Sequence, residues 1–319
     1  MLRQFLIPCS IALLLASAIV GSSSHAAEPG FFEGKRITYI VATKPGGGYD
    51  QYARLIARYL PRYLGVKSVV IRNVPGASHL IGLQQLFMAT PDGLTIGTFN
   101  TGLLIGIDRT VVDYDLSQLS WIGKAAAEPR VFIVPSHSTL QSFDDLRTRT
   151  TPLLVATSGK LSASNLEVEL IASAFDIQTR NVHGFVGPDT DLAIARGDVE
   201  GALVSLSSAR PLLLNGQARA LFYFGAESAL PGVEKLDAVA RSELERDVAK
   251  RLLTLSGLGR LSAGPPGIPP ARLQELRKAY LDALGDPELR EEAARMRLPI
   301  HPWGGERVAS AIQQMLEET

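Results

Sequence analysis

Two glycine-rich turns carry the residues best suited to chemistry, and the chemistry they suit is the binding of an anion. The first turn is residues 45–50 (PGGGYD) and the second is residues 73–78 (NVPGAS). Each stands between a run of β-branched residues and a segment with helical spacing, so each is predicted to open a helix. The start of a helix offers unpaired backbone N–H groups and the positive end of the helix dipole. One such turn could serve only to reverse the chain, but two on neighbouring strands indicate a ligand site.

The elements that hold these turns are predicted to form a βαβ unit. Residues 36–41 and 68–71 are predicted strands, and apolar residues recur at helical spacing from 52 to 60 between them. Parallel strands bring both turns to the carboxyl edge of one sheet, where open α/β sheets bind ligands. Residues 94–99 read as a further strand, which predicts a third loop at that edge beginning at Asn100.

The second half of the chain repeats this order of elements. Residues 153–157 predict a strand and residues 158–164 a small polar turn, after which helical spacing begins at Leu166. The turn could offer hydroxyl and N–H groups to a ligand, or its residues Ser162 and Ser164 could cap the helix. Both interpretations stay open at this point.

The chain is expected to cross into this second half near residues 131–135. A charged segment at 234–251 predicts a helix, and residues 252–259 read as the strand that returns to the first half. Helical spacing resumes at 270 and continues towards the C-terminus.

The N-terminal 26 residues predict a secretory signal peptide. A short basic start precedes an apolar run at 5–20, and Ser24-His25-Ala26 fits a small-x-small cleavage site. The run is too short for a membrane anchor, so we expect export to the periplasm. Cleavage after residue 26 would remove Cys9, the only cysteine, and with it any disulfide or thiolate chemistry.

Composition argues against several other functions. The chain has 32 basic and 32 acidic residues, whereas nucleic acid and anionic membranes attract basic proteins. The five histidines are scattered, with no His-x-x-x-His pair, and neither a Gly-x-Ser-x-Gly elbow nor a complete P-loop is present. We therefore expect no metal, no cofactor and no catalysis. An exported α/β hydrolase with a non-standard serine at Ser78-His79 remains an alternative, as does a receptor that serves a signalling partner.

Three stretches resemble the N-terminal signatures of the TctC/Bug family, the extracytoplasmic solute receptors of tripartite tricarboxylate transporters. They are residues 41–54 (VATKPGGGYDQYAR), 73–77 (NVPGA) and 89–96 (ATPDGLTI). Later stretches are similar to the family's landmarks in the second half, namely residues 158–159, 182–185, 195–201, 205–209 and 264–269. The first loop departs from the family pattern at Ala42, Thr43 and Lys44, and the second departs at Ser78 and His79.

The resemblance implies an α/β protein with the two-lobed, type II periplasmic-binding-protein fold. Each lobe would be a mostly parallel sheet flanked by helices, with the ligand cleft between the lobes. Domain 1 would comprise residues 27–126 with 253–319, and domain 2 residues 127–252. The implied ligand is a small organic carboxylate, the implied partners are the transporter's membrane subunits, and the protein would act as a monomer.

Together, the two turns and the resemblance predict which residues bind the ligand. The candidates in the first half are Thr43, Lys44, Pro45, Gly46, Gly47, Gly48, Asp50, Pro75, Gly76, Ala77, Ser78, His79 and Asn100; those in the second half are Ser158, Gly159, Ser162, His183 and Ser205.

The roles we expect differ among these candidates. Backbone N–H groups at 45–48 and 76–78 would bind the carboxylate, and Asp50 would bond N–H groups of its own loop. Lys44 and His79 would add a fixed charge and one that appears as pH falls through about 6.5. Alternatively, Lys44 extends into solvent and His79 only fills the first turn of its helix.

Overall fold

The structure is a computed structural model, and it describes residues 30–106, 115–127, 129–225 and 230–317. The predicted signal peptide, with Cys9 and His25, lies outside these ranges. The strands are β1 Arg36–Val41, β2 Ser68–Asn73, β3 Thr95–Thr98, β4 Ser120–Lys124, β5 Arg130–Pro135, β6 Leu153–Thr157, β7 Thr179–His183, β8 Gly201–Ser205, β9 Ala218–Phe224, β10 Glu234–Lys235, β11 Leu261–Gly264 and β12 Trp303–Gly304. The helices are α1 Gly48–Leu64, α2 Leu80–Phe87, α3 Leu103–Gly106, α4 Phe143–Thr148, α5 Ala163–Ala174, α6 Pro188–Arg196, α7 Leu206–Leu214, α8 Glu243–Gly257, α9 Pro270–Gly285, α10 Pro287–Arg295 and α11 Gly305–Glu317. Short 3₁₀ turns lie at Ala77–His79 and Leu116–Gln118.

The strands form two six-stranded sheets, one in each lobe. The sheet of the first lobe has the order β12-β4-β11-β3-β1-β2. In it β1 pairs in parallel with both β2 and β3, which confirms the predicted βαβ unit. The loops after these three strands therefore share one sheet edge, while β11 and β12 run antiparallel to β4.

The sheet of the second lobe has the order β10-β9-β5-β8-β6-β7. Its strand β6 pairs in parallel with β7 and β8, and β5 pairs antiparallel with β8 and β9. The predicted strand and turn at 153–164 are thus placed as expected. The α/β, two-lobed architecture is confirmed.

Within the described ranges the chain passes between the sheets at two places. The first passage follows β4 and leads to β5, and the second follows α8 and leads to β11. The two passages run side by side, because the backbone N–H of Ala125 donates to the carbonyl of Arg260 at 3.1 Å. Lys124 also donates from Nζ to the carbonyl of Gly257 at 2.9 Å. We refer to residues 125–127 and 258–260 as the hinge segments.

The predicted return strand at 252–259 is wrong. Helix α8 continues to Gly257, and the return strand is β11. The helix is favoured because Leu252 and Leu255 are three residues apart and both buried, so the apolar run that suggested a strand also fits a helical face. The helix begins at Glu243 rather than 234, after a capping box formed by Ser242 and Glu245. The domain boundary after residue 252 falls inside this helix, and the boundaries themselves stay a prediction.

Helix α1 is held against the C-terminal helices by both faces of its amphipathic pattern. Its buried side includes Tyr52, Leu55 and Ile56, and it packs on α9. On the opposite side Arg58 contacts Glu292 and Arg62 contacts Asp286 of the segment around α10. The position of the α1 N-terminus is therefore fixed by packing along the whole helix.

A buried hydroxyl cluster joins β1 to β11 in the same lobe. The Tyr39 hydroxyl contacts Ser262 Oγ, which donates to the Tyr280 hydroxyl at 3.0 Å. Burial raises the pKa of Tyr39 and of Tyr280, so both stay neutral hydrogen-bonding groups. No helix in the described ranges is both long and apolar enough to cross a membrane.

The close packing of α2 on the strand ends gives a first prediction. A Cβ at Gly82 would lie 2.7 Å from Ala42 Cα and 2.8 Å from the Val74 carbonyl oxygen. Gly82→Ala should therefore lower the free energy of unfolding by about 1–3 kcal/mol, measured by urea denaturation. Gly257→Ala is the matched control, since that helical glycine has open space around it. The control should be neutral or stabilising by up to about 1 kcal/mol. Equal effects of the two substitutions would contradict the packing argument.

Candidate ligand site between the lobes

The first loop ends at the uncapped start of α1. Gly46 has φ +91°, a conformation that glycine adopts without strain. Gly47 is the N-cap residue, and no side chain caps the helix there. The first N–H groups of a helix have no partner within it, so this end of α1 can donate to an anion.

Asp50 organises this loop from beneath. Its carboxylate is buried and accepts hydrogen bonds from the Gly46 N–H at 2.9 Å, from Asn73 Nδ2 at 2.9 Å and from Arg54 Nε at 2.8 Å. Asn73 also donates to the Thr43 carbonyl at 3.1 Å. Asp50 therefore ties the first loop to the end of β2, and the expectation that it bonds N–H groups of its own loop is confirmed.

The same contacts keep Asp50 ionised. Burial alone opposes the charged form, but the hydrogen bonds from Arg54, Gly46 and Asn73 outweigh it and lower the pKa of Asp50. The carboxylate is paired with donors in and next to its own loop. The other backbone N–H groups of the loop therefore remain available to a ligand.

The second loop has an unusual backbone. Ala77, Ser78 and His79 have φ values of 43°, 53° and 82°, a region that residues with a Cβ adopt at a cost. Gly76 precedes them with φ 132°. Conformations of this kind persist only where the surroundings enforce them, and they cluster at functional sites.

The two lobes touch at these loops. A Cβ at Gly159 in the second lobe would lie 2.6 Å from Ser78 Oγ, and a Cβ at Gly102 would lie 2.6 Å from Ala163 Cα. The 158–164 loop therefore lies against the second and third loops of the first lobe. Glycine is required at 102 because a side chain there would meet the backbone of Ala163 and push the lobes apart, whereas at 159 the Ser78 side chain could move aside.

An open cavity of about 790 Å³ lies between the lobes on the other side of the first loop. Its first-lobe walls are Gly46–Gly48, Gln51 and residues 290–300; its second-lobe walls are the starts of α6 and α7. Helices α6 and α7, like α1, have no side-chain cap at the N-terminus. Three positive helix ends thus open onto one space, and its volume lies in the range of small-molecule sites.

Charged side chains complete this cavity. Arg210, Arg290 and Arg297 line it together with Asp191, the one acid among the described lining residues. Partial burial raises the pKa of Asp191. The arginines and the helix ends favour an anion, and among the described lining residues Asp191 opposes it.

The remaining predicted residues occupy different surroundings. Lys44, Pro45, Pro75 and Ser158 are exposed, as is His183, whose Nδ1 lies 2.7 Å from Thr157 Oγ1. Asn100 is buried and accepts from the Gly102 N–H at 2.8 Å, so it shapes the third loop. Roles for these residues towards a ligand stay predictions.

Two predicted serines of the second lobe stand at helix N-termini, and the structure shows side-chain capping for Ser162 but not for Ser205. Ser162 accepts from the Asn165 N–H and donates to the Gly159 carbonyl at 2.7 Å; capping is the role that the structure shows for it. Ser205 is the N-cap residue of α7, and its Oγ lies 2.9 Å from Ser208 Oγ. Ser205 stands next to the cavity, whereas Ser162 is buried within the 158–164 loop.

Two buried polar atoms in the first and second loops lack partners. Thr43 Oγ1 and His79 Nδ1 are buried and have no hydrogen bond to other described residues. Such groups are rare in folded proteins and are often satisfied by a ligand or water.

The expected titration of His79 near pH 6.5 is wrong. The ring packs edge-on against Tyr49, with centroids 5.6 Å apart, and burial lowers its pKa to about 4. His79 is therefore neutral at ordinary pH. Lys44 is exposed, and its effect on the ligand stays a prediction.

Several residues that line the cavity were not identified from the sequence. The start of α6 carried a signal, since Gly187-Pro188 is typical of a helix beginning. Residues 290–300 carried none, because only the packing of α10 on α1 brings them to the cleft. In the described ranges, no cluster of three or more histidines, cysteines or acids could hold a metal ion.

The fold and the cleft are those of the periplasmic binding proteins. The structure of the periplasmic binding protein BugD superposes with a TM-score of 0.72 at 17% identity, covering 89% of this chain and 95% of that one. A Rhodopseudomonas palustris protein solved with adipate gives a TM-score of 0.70 at 22% identity, covering 89% and 94%.

The sequence comparisons give the family. The family described as tripartite tricarboxylate transporter family receptor matches residues 52–317, and the chain belongs to this family. A UPF0065 protein of Pseudomonas sp. (strain P51), from the tcbD-tcbE intergenic region, is 29% identical over 65% of this chain. That match spans 63% of the relative's length. The resemblance found in the sequence is confirmed.

The role of Asp50 can be tested by separating its charge from its hydrogen bonds. Asp50→Asn keeps an acceptor for the Gly46 N–H but turns an amide NH2 towards the Asn73 donor, and it loses a half-exposed ion pair, worth about 0–1 kcal/mol. Asp50→Ala leaves the Gly46 N–H unpaired and leaves Asn73 Nδ2 only its bond to the Thr43 carbonyl, which should cost about 1–3 kcal/mol. Urea unfolding and dicarboxylate titration of both variants measure this. Complete loss of binding in Asp50→Asn, with unchanged stability, would show that the carboxylate contacts the ligand.

His79 gives a prediction for stability against pH. Because the folded protein favours the neutral ring, the stability it contributes is complete above pH 6.5 and is lost as pH falls from 6.5 through 4. The loss should approach about 3 kcal/mol. His79→Asn, which tolerates positive φ, should remove this part of the acid sensitivity. Identical pH profiles of the unfolding free energy in the two proteins would contradict the assignment.

Proposed function

We propose that this protein is a periplasmic solute receptor that binds a small organic carboxylate between its lobes and delivers it to the membrane subunits of a tripartite transporter. The observation that carries the proposal is the convergence of three uncapped helix N-termini, from both lobes, on one cavity. Such ends bind anions without a catalytic group.

Charge and size support a carboxylate as the ligand. Three arginines line the cavity, and a volume of about 790 Å³ holds a small acid together with bridging water. The structurally similar R. palustris protein was solved with adipate. In the proposed pose, one carboxylate of such a ligand contacts the α1 end and the other contacts the α6 or α7 end.

The proposed mechanism is closure of the lobes around the ligand. An anion held by helix ends from both lobes stabilises the closed arrangement, because only that arrangement provides all of its donors. Transporter subunits would recognise the closed form. Residues 1–26 would act as a cleaved signal peptide, and the receptor would work as a monomer.

The hydrolase alternative gains no support from the side chains it needs. Ser78 Oγ lies beside Gly159, and the adjacent His79 has a buried Nδ1 without a described partner. A serine nucleophile requires a hydrogen-bonded histidine, which is in turn oriented by an acid.

The ligand proposal is tested with adipate and its monomethyl ester. The diacid should bind about ten- to hundredfold more tightly than the ester, since a charge-assisted hydrogen bond contributes about 1.5–3 kcal/mol. Calorimetric titration measures both affinities. The ester should remain intact during the titration, as chromatography would show.

Gly47→Val tests the role of the first loop in the same experiment. Gly47 does not need unusual φ freedom, because its φ is −78° and a Cβ would have open space. The valine side chain would instead occupy space beside the helix end, so adipate affinity should fall at least about tenfold with an unchanged melting temperature. Gly285→Val is the matched control, since it also has open space and does not line the cavity. Equal adipate affinity in wild type, Gly47→Val and the control would contradict the site; hydrolysis of the ester would favour an enzyme.

A further inference from the structure

One arginine in the cavity wall stands at a backbone position that usually holds glycine. Helix α10 ends with a hydrogen bond from the Leu298 N–H to the Ala293 carbonyl at 2.8 Å. A second bond runs from the Arg297 N–H to the Ala294 carbonyl at 3.0 Å. These two bonds define the Schellman motif, in which the residue after the helix takes the left-handed conformation and is usually glycine. Arg297 takes this place, with φ 57°.

Other helices of the chain end in this way with glycine. The equivalent long bond is donated by Asp198 after α6 and by Gln217 after α7, and the left-handed residues there are Gly197 and Gly216. A residue with a Cβ is less stable in this conformation than glycine. Arginine at 297 therefore lowers stability where glycine would not, which indicates that its side chain has a use.

The side chain of Arg297 has no partner of its own among the described residues. It lines the cavity, and neither an ion pair nor a side-chain hydrogen bond joins it to the described part of the chain. The nearby Arg295, by contrast, pairs with Glu291 at 3.8 Å. Arg290, also in the cavity wall, donates from Nε to the Leu284 carbonyl at 3.1 Å. The guanidinium of Arg297 is thus available to a ligand.

The wall that carries Arg297 is held against α1. The Tyr52 hydroxyl donates to the Pro299 carbonyl at 2.8 Å, and Leu298 is buried in the same cluster as Tyr52. Tyr52 lies about one helical turn beyond Gly48. Arg297 and the N–H groups at the start of α1 therefore provide two separate sets of donors to one cavity.

We propose that Arg297 is a specificity-determining residue that binds the second carboxylate of a dicarboxylate ligand, while the N–H groups at the start of α1 bind the first. The inference rests on the proposed function for its ligand. A planar guanidinium donates two parallel hydrogen bonds to one carboxylate, so a diacid gains more from Arg297 than a monoacid does. Selection for a diacid then explains why arginine stands in this position in place of glycine.

The test separates this role from a structural one. A cation also stabilises the C-terminus of a helix, and Arg297→Lys keeps that charge without the paired donors. Arg297→Gly removes the side chain and relieves the backbone. Asp176→Gly is the matched control, because Asp176 follows α5 with φ 54°, is exposed and does not line the cavity.

Calorimetry with adipate and its monomethyl ester measures the preference for the diacid. Arg297→Gly should reduce this preference about tenfold, by weakening adipate binding and leaving ester binding nearly unchanged. The same variant should melt about 2 °C higher than wild type. Arg297→Lys should retain part of the preference, and Asp176→Gly should leave both affinities unchanged. A purely structural role would change the melting temperature and leave the preference intact, and general attraction would weaken both ligands equally; either result would overturn the proposal.

Thermal melting in sulfate tests Arg297 without a carboxylate ligand. Sulfate stabilises folded proteins through its exclusion from their surface, and wild type and Arg297→Gly share that effect. Binding at Arg297 adds to it in wild type alone. In sulfate, relative to chloride at equal ionic strength, wild type should gain at least about 2 °C more than Arg297→Gly. If wild type binds neither adipate nor its ester, the ligand proposal fails, and the sulfate comparison still decides the role of Arg297: equal gains in the two proteins would overturn it.

Discussion

The buried carboxylate of Asp50 is the interaction on which the site depends. It accepts hydrogen bonds from the Gly46 N–H and the Asn73 side chain and pairs with Arg54, so it joins the first loop to the end of β2. Without these contacts, the glycine-rich loop would not be restricted to one conformation. Because its charge is satisfied within the loop, the N–H groups at the start of α1 face the cleft as net donors. Asp50, although negative, thus shapes the loop that carries the proposed anion site.

The second constraint is that the cleft is built from two lobes joined by two hinge segments in the described chain. Close approach at Ser78 and Gly159 brings the loops together on one side of the first loop, and the cavity opens on the other. In the proposed function, the helix ends of both lobes contribute to binding only in a restricted range of lobe orientations. Recognition by backbone groups and lobe closure would then both follow from this arrangement.

Much of the first lobe was predictable from local patterns. The β-branched runs, the glycine turns and the helical spacing from 52 to 60 indicated β1, α1 and β2, and the parallel pairing followed from their order. The end of α8 was not predictable, because the apolar residues at 252–255 fit both a strand and a helical face. The capping box at Ser242 and the burial of Leu255 favour the helix over the strand.

The candidate site was predictable only where it is local in sequence. Loop residues such as Gly46 and Gly76 have the positive φ values that a glycine-rich turn suggests. Residues 290–300 could not be found, since their place in the cavity depends on how α10 packs on α1. Burial also made His79 neutral, and burial cannot be read from the residue type.

The most direct measurement of the central claim is a backbone amide spectrum of ¹⁵N-labelled protein titrated with adipate. If helix-end N–H groups bind the carboxylate, the amide resonances of Gly47, Gly48 and Tyr49 should shift saturably, together with those at the start of α6 or α7. The amide of Gly46 should move less, because it already donates to Asp50. Saturable binding by calorimetry with no shift at 47–49 would contradict the account.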